Sequence, residues 1–161
     1  MINKPEPNEY PPFFQGYIER VVTNDIILFL EKQNNDFVNQ MSAVSSEKAN
    51  FRYSPDKWSV KEVMGHIIDI ERAMAYRAFS FSREEEHPLP GIDQHHYTPR
   101  GNFDYRHLDD LVQEFKFLRF SNLLLFASLD DGSSRRQGIA DQKTFTVRAL
   151  VIHCSGAFGT P

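Results

Sequence analysis

Apolar residues recur every three or four positions in several segments of the chain, which is the spacing of side chains on one face of an α-helix. The pattern predicts a first helix over residues 24–43, where Asn24 and Asp25 can cap the helix start. Polar residues from 33 to 36 dilute this pattern. The apolar positions of the first helix are Ile27, Leu30, Phe37, Val38 and Met41.

A second helix is predicted over residues 59–83, and its start is the most clearly marked. Ser59 and Glu62 have the spacing of a capping box, in which the serine hydroxyl accepts from a first-turn amide and the glutamate reaches back. Its apolar face consists of Val63, Ile67, Ile70 and Met74.

A third helix is predicted over residues 107–129, and a fourth is expected to start near Thr146. Residues 135–145 are expected to form a turn or a small hairpin. Residues 87–106 contain three prolines and two glycines and read as a long loop, of the kind that often carries function. The apolar positions of the third helix are Leu108, Leu111, Val112, Phe115, Leu118, Leu125, Phe126 and Leu129.

Four predicted helices without a clear strand favour an all-α four-helix bundle, and 161 residues suit a single domain over 1–161. Residues 1–23 contain four prolines, so we expect an extended N-terminal arm over the surface. The helical pattern that begins near Thr146 is lost after two turns. We therefore expect an aberrant C-terminal end over residues 147–161 and a truncated or disrupted fourth helix.

Composition and charge narrow the class of protein. A hydrophobic fraction of 40% and a charged fraction of 25% are ordinary for a globular chain. The net charge of −4 disfavours nucleic acid as the main partner. No apolar run reaches the roughly 20 residues of a membrane span, and the N-terminus has no signal-peptide pattern. With Cys154 as the single cysteine, we expect a cytoplasmic protein.

His66 is the main candidate for chemistry because it lies in the middle of the apolar face of the second helix. It could be a core histidine with one hydrogen-bond partner, or a metal ligand facing the interior of a bundle. Asp69 follows at a spacing that could orient the imidazole. Glu71 is expected to pair with a nearby surface cation, Arg72 or Arg77.

Structural roles are favoured for the other candidates. Adjacent residues diverge, so neither the pair His95–His96 nor the pair His153–Cys154 is expected to act as one site. We expect His95 and His96 on the surface, His107 as a poor helix cap, and Arg135 and Arg136 in a solvated turn. Trp58 is expected to be a staple or a core anchor.

Several segments together resemble the DinB-like superfamily of metal-dependent four-helix proteins. They are YSPDKWSVKEVMGHIIDIERAMAYRAFSF, PLPGIDQHHY, GNFDYRHLDDLVQEFKFLRFSNLLLFASL and FTVRAL, in that order. The resemblance begins at NKPEPNEYPPFFQGYI and covers nearly the whole chain, and KWSVKEVMGHIID is its most specific part. It implies a DinB-like four-helix bundle.

The resemblance also implies a site for a divalent metal, Zn²⁺ or Ni²⁺, held by three histidines. One is in a Gly-His pair that corresponds to Gly65-His66. The other two belong to a motif like YIxAGHxxHH shortly after VRAL, and the present sequence lacks that motif. We therefore expect His66 to be the remaining metal ligand of an incomplete site, with weak or absent metal binding. No catalytic residue is assigned.

A shifted reading frame can account for the missing motif. Synonymous codons for residues 152–161 can be chosen as ATA CAT TGT AGC GGG GCA TTT GGC ACA CCA. Skipping the first nucleotide gives codons for YIVAGHLAH, and a further His follows if the next base is a pyrimidine. The histidines would then stand at positions 157, 160 and 161. We interpret the end of the chain as frame-shifted by one inserted nucleotide.

The resemblance implies two kinds of enzyme for the intact protein, a metal-dependent hydrolase or a transferase that uses a low-molecular-weight thiol. In either, a metal with open positions would activate a bound water or thiol. The partner would be a small-molecule substrate, and a homodimer is plausible. The alternative is a non-catalytic, stress-related helical bundle that binds or dimerises. The present chain is expected to be inactive.

Overall fold

The computed structural model describes residues 2–156, with side chains up to Cys154. In chain order, its helices and strands are α1 (Gln15–Glu19), α2 (Ile26–Ser42), α3 (Ser46–Ala49), α4 (Val60–Ser82), α5 (Gln94–Tyr97), α6 (Leu108–Ala127), α7 (Asp131–Arg135), β1 (Gln137–Ala140), β2 (Lys143–Thr146) and α8 (Val147–Gly156). Single 3-10 turns lie at Pro12–Phe14, Thr98–Arg100 and Phe103–Tyr105.

The helices α2, α4, α6 and α8 form the bundle, in which α4 packs against both α6 and α8, and α2 packs against α6. Lys61 at the start of α4 donates to the backbone carbonyls of Asp104 and Arg106, just before α6. Further along, Glu71 of α4 contacts Arg119 of α6. The two central helices therefore run in the same direction, and the segment between them returns along the bundle.

The helix α8 runs against the direction of α4. Its first residue, Val147, donates to the carbonyl of Arg136, whose side chain reaches Ser82 at the end of α4. Seven residues later, the carbonyl of Cys154 accepts from Arg119, which is bound to Glu71 in the middle of α4. Position 154 therefore lies near the level of Glu71.

The predicted helices agree with the structure in type and place, and the all-α prediction is confirmed. Ser59 and Glu62 form both hydrogen bonds of the capping box, at 3.1 Å from the Glu62 amide to Ser59 Oγ and 2.8 Å from the Ser59 amide to Glu62 Oε2. His107 is the N-cap residue of α6 and makes no capping hydrogen bond with its side chain. Of the segment 147–161 that was expected to be aberrant, residues 147–156 form α8, and residues 157–161 lie outside the described residues.

Two segments are more ordered than their sequence patterns suggest. The expected arm over 1–23 contains α1 and a 3-10 turn, and it contributes buried side chains to the core because its apolar residues meet α8 and β2. These buried residues are Ile2, Tyr10, Phe14, Ile18 and Val21. The expected loop over 87–106 contains α5 and two 3-10 turns.

The strands β1 and β2 form an antiparallel hairpin, one of the two forms expected for residues 135–145. Its turn residues, Asp141 and Gln142, have φ values of 51° and 60°, both in the left-handed region. Two consecutive positive φ values are typical of the two-residue type I′ turn. Leu89 exchanges backbone hydrogen bonds with Ile139 and Asp141, so the hairpin anchors the segment after α4.

Within residues 2–156, no helix combines the length and the apolar character that crossing a lipid bilayer requires.

Candidate functional site

His66 lies on α4, two turns after the capping box, and only 7% of its surface is exposed. The ring of Trp58 packs against it with 5.0 Å between ring centroids. The ring of His95 also lies near this indole, with 6.0 Å between ring centroids. Trp58 was expected to be a staple or a core anchor, and here its ring contacts both imidazoles.

Two cavities meet at His66. The larger has a volume of about 450 Å³ and lies between α2, the start of α4 and the segment that precedes α4. Its walls are mostly aromatic and apolar, with Phe37, Met41, Phe51, Tyr53, Trp58 and Met64 among them. Asp56, Lys57, Gln94 and His95 add polar groups at its edge. This combination is usual for small-molecule sites.

The smaller cavity has a volume of about 190 Å³ and lies between α4, α8, the N-terminal segment and the hairpin. His66 and Gln94 line it as well as the larger cavity. Its remaining polar wall consists of Arg77, Asp141 and His153. The two cavities therefore share one histidine, and each has mostly apolar walls with a few polar groups.

Burial keeps both cavity histidines neutral. It lowers the pKa of His66, and the nearby charge of His95 acts in the same direction. It lowers the pKa of His153 to about 4, with further contributions from the charges of Arg77 and His66. Neutral imidazoles are available as hydrogen-bond partners or metal ligands at physiological pH.

Asp69 and Glu71, the acids that follow His66 in sequence, do not orient its imidazole. Asp69 forms no hydrogen bond with His66 within residues 2–154, and burial raises the pKa of its carboxyl group, against the opposing charge of Arg72. Glu71 has a structural role, as expected, but its partner is the buried Arg119 and not Arg72 or Arg77. That partner lies 48 positions away in sequence.

The expectation that His153 and Cys154 do not act as one reactive site agrees with the structure. Its thiol is fully buried and lies 3.6 Å from the Leu150 carbonyl. Burial raises the pKa of the thiol well above its ordinary value, so the reactive thiolate is disfavoured. The ring of His153 instead stacks on Phe14, with 4.3 Å between centroids.

The remaining candidates are mostly surface groups. His95 and His96 are exposed on α5, although His95 borders the larger cavity. Arg135 pairs with Asp131, and Arg136 pairs with Glu84, so neither arginine points towards His66.

The described donor set does not fit the three-ligand metal centre that the sequence resemblance implies. Among residues 2–154, no group of three or more His, Cys, Asp or Glu side chains is arranged to hold a metal ion. Residues 155–161 contain none of these residue types. His66 stays the single predicted metal ligand of this chain.

Sequence reasoning missed Arg77, Asp141 and His153 as parts of one cavity. Arg77 carried a usable signal, because it lies eleven positions after His66 and three helical turns return a side chain to nearly the same face. Asp141 and His153 approach that face only through the tertiary fold. No local pattern could have grouped them with Arg77.

The comparisons with known proteins support this architecture. A family model described as the DinB superfamily matches residues 30–156. The structure of YfiT from Bacillus subtilis, described as a probable metal-dependent hydrolase with an unusual four-helix bundle topology, superposes with a TM-score of 0.69 at 16% identity, over 82% of this chain and 79% of YfiT. Curated protein sequences give no significant match.

A second solved structure is the mycothiol-dependent maleylpyruvate isomerase, with a TM-score of 0.70 at 10% identity. The aligned region covers 86% of this chain and 58% of the isomerase, so the chain spans little more than half of that protein. At such identities the two superpositions establish the fold alone. They confirm the predicted four-helix bundle.

Proposed function

Because this chain belongs to the DinB superfamily, we propose that the two cavities around His66 form the binding site of a small-molecule substrate. The observation that carries this proposal is that one buried, neutral histidine lines two cavities, each with mostly apolar walls and a few polar groups. The larger cavity has the volume of an ordinary ligand site, for which roughly 300–1,000 Å³ is typical.

We propose that the intact enzyme is metal-dependent and that His66 is one of its metal ligands. The reaction class is hydrolysis or S-transfer with a low-molecular-weight thiol. The description of YfiT as a probable metal-dependent hydrolase supports the first class, and the thiol dependence of the isomerase supports the second. The present chain lacks a fitting donor set, so we propose that it has no metal-dependent turnover.

The course of α8 supports the frame-shift hypothesis for the missing ligands. His153 faces the cavity that His66 also lines. In a continued helix, a position four residues after 153 would lie on the same face, one turn further along. A histidine at position 157, as in the alternative frame, would therefore extend the face that carries His153. This segment lies outside the described residues.

Activity of a frame-corrected chain tests the proposal. Thioester and ester hydrolysis and thiol S-transfer would be assayed with added Zn²⁺ or Ni²⁺, for the corrected chain and for its His66→Ala variant. We expect turnover that His66→Ala abolishes and that His96→Ala, a change at an exposed histidine, leaves intact. Turnover that survives His66→Ala would contradict a role for His66.

The second candidate function is a non-catalytic bundle that binds and dimerises, and an exposed apolar stripe on α6 favours it. Phe117, Phe120 and Leu124 follow at helical spacing and are 67%, 60% and 62% exposed. Such a stripe suits a helix-on-helix homodimer. Sedimentation should show a dimer that Phe120→Asp dissociates, with no turnover by the corrected chain. A cytoplasmic location stays a prediction from the single cysteine.

A further inference from the structure

We propose that the smaller cavity binds the carboxylate group of a small organic anion, with Arg77 as the charged partner and His153 as a second hydrogen-bond partner. The proposal concerns the present chain, because the alternative frame would place isoleucine at position 153. Arg77 precedes the frame change and belongs to both versions of the chain. That the anion is the substrate rests on the proposed function, but its binding requires neither a metal nor turnover.

Arg77 is a buried cation that has no paired anion among the described residues. Only 5% of its surface is exposed. Its Nη2 donates to the Pro90 carbonyl at 2.8 Å, and its Nη1 lies 3.8 Å from the thioether of Met74. Within residues 2–154, no carboxylate oxygen lies within 4.0 Å of this guanidinium. A buried charge with only neutral contacts is costly, and an incoming anion would relieve that cost.

The other deeply buried arginines differ from Arg77 in this respect. Arg119 is bound by both carboxylate oxygens of Glu71. Arg148 is bound by both carboxylate oxygens of Glu9. This fold therefore supplies an internal carboxylate to its structural arginines. Arg77, which lines a cavity, is the exception.

Asp141 is the acid whose charge acts most strongly on Arg77, but its carboxylate is paired with another residue. Its Oδ2 lies 2.6 Å from Nζ of Lys143, on the next strand of the hairpin. The hydrogen bond and the charge of Lys143 lower the pKa of the Asp141 carboxyl group, and Arg77 contributes less. Asp141 therefore adds negative charge to the cavity wall but does not form an ion pair with Arg77.

His153 provides an independent indication of a missing partner. It is 8% exposed, and its Nδ1 has no hydrogen-bond partner among the described residues. Buried polar atoms are nearly always satisfied. Because His153 is also one of the residues that line the smaller cavity, its orphan nitrogen points to a polar occupant there. In the tautomer that carries the proton on Nδ1, this nitrogen donates to an oxygen of the anion.

The cavity volume limits the bound group. About 190 Å³ is below the roughly 300 Å³ at which ordinary ligand sites begin. The cavity thus suits a carboxylate head of a few atoms, with any apolar remainder directed past His66 into the larger cavity. A guanidinium matches a carboxylate with two parallel hydrogen bonds, which a smaller or monodentate cation cannot supply.

Calorimetric titration of the metal-free chain with sodium acetate, and with acetamide as the uncharged probe, tests the proposal. We expect saturable acetate binding and at least tenfold weaker acetamide binding. Arg77→Gln should weaken acetate binding about tenfold or more, because charge-assisted hydrogen bonds are lost. Arg83→Gln, at an exposed arginine directly after the same helix, should leave it unchanged.

A second variant keeps the test informative if Arg77→Gln does not fold. Asp141→Asn removes a competing negative charge from the cavity wall and should tighten acetate binding by about twofold or more. Equal binding of acetate and acetamide, or unchanged acetate affinity in Asp141→Asn, would overturn the proposal. Acetate binding and the activity that depends on His66 are therefore tested independently. Failure of one test does not decide the other.

Discussion

The carboxylate of Glu71 accepts two hydrogen bonds from the guanidinium of Arg119, at 2.8 Å from Nε and 3.0 Å from Nη2. Both side chains are essentially unexposed, at 1% and 0%. The same guanidinium donates to the Cys154 carbonyl at 2.7 Å, and Asn122 donates to Glu71 at 3.0 Å. One buried ion pair therefore joins α4, α6 and α8 at the level of the smaller cavity.

Glu71→Gln should destabilise the protein by about 3–5 kcal/mol, because it leaves the charge of Arg119 buried without a counter-charge. Urea denaturation followed by circular dichroism measures the loss. Asp36→Asn is the matched control, since Asp36 pairs with Lys32 on the exposed face of α2. That change should cost about 0.5 kcal/mol or less. A loss below about 1 kcal/mol in Glu71→Gln would show that the pair does not organise the core.

The pair of Glu9 and Arg148 should give stability a dependence on acid pH. Burial by itself raises the pKa of Glu9, but hydrogen bonds from Arg148 and Thr146 and the charge of Arg148 outweigh it, so the pKa lies below its ordinary 4.5. A lowered carboxyl pKa stabilises the folded state above the unfolded pKa, and this stability is lost as pH falls through the folded pKa.

We expect Glu9→Gln to be less stable than the parent chain by about 1–3 kcal/mol at pH 7. The difference should shrink below about pH 4.5 as Glu9 becomes protonated in the parent chain. Urea titrations between pH 3 and 7 provide the measurement. A difference that is the same at every pH would mean that the charge of Glu9 does not contribute.

Gly65, directly before His66, should not tolerate a side chain. A Cβ atom at this position would lie 2.3 Å from ring atoms of Phe103, which packs across α4. Alanine gains about 1 kcal/mol of helix propensity over glycine, but overpacking costs about 1–3 kcal/mol. We expect Gly65→Ala to be destabilised overall and its His66 ring to be displaced.

Gly16 in α1 is the control for this substitution, because a Cβ atom there meets nothing within 4 Å. Gly16→Ala should be neutral or slightly stabilising. Thermal unfolding of the two variants decides between local propensity and packing. Equal stability of Gly65→Ala and Gly16→Ala would exclude a packing role for Gly65.

The frame-shift hypothesis makes a prediction about the gene. Source DNA should carry codons at 152–161 that read YIVAGHLAHH after one nucleotide is skipped. Direct sequencing of this region is sufficient. Codons that cannot encode this peptide in the second frame would reject the hypothesis, and the absence of the motif would then be native to this protein.

Local sequence patterns predicted the features that depend on local interactions. The start of α4 followed from Ser59 and Glu62, since a capping box involves residues three positions apart. The helix α1 was not predicted, because the four prolines of residues 1–23 indicated an extended segment. The hairpin turn at Asp141 and Gln142 lacks the glycine that usually marks a type I′ turn.

Long-range partners could not be predicted in this way. Glu71 has two basic residues close in sequence, yet its partner is Arg119, because only the parallel packing of α4 and α6 brings them together. The polar groups of the smaller cavity have the same origin, since Arg77, Asp141 and His153 come from three separate elements. His66 was identified from its position on an apolar helix face, and its role as a metal ligand stays a prediction.

Metal content after dialysis tests the central claim most directly. The present chain, the frame-corrected chain and its His66→Ala variant would each be loaded with Zn²⁺ or Ni²⁺, dialysed and analysed by elemental mass spectrometry. We expect far less than one equivalent in the present chain, one equivalent in the corrected chain, and loss of that metal in His66→Ala. A stoichiometric metal in the present chain, or none in the corrected chain, would contradict the account of His66 as the remaining ligand of an incomplete site.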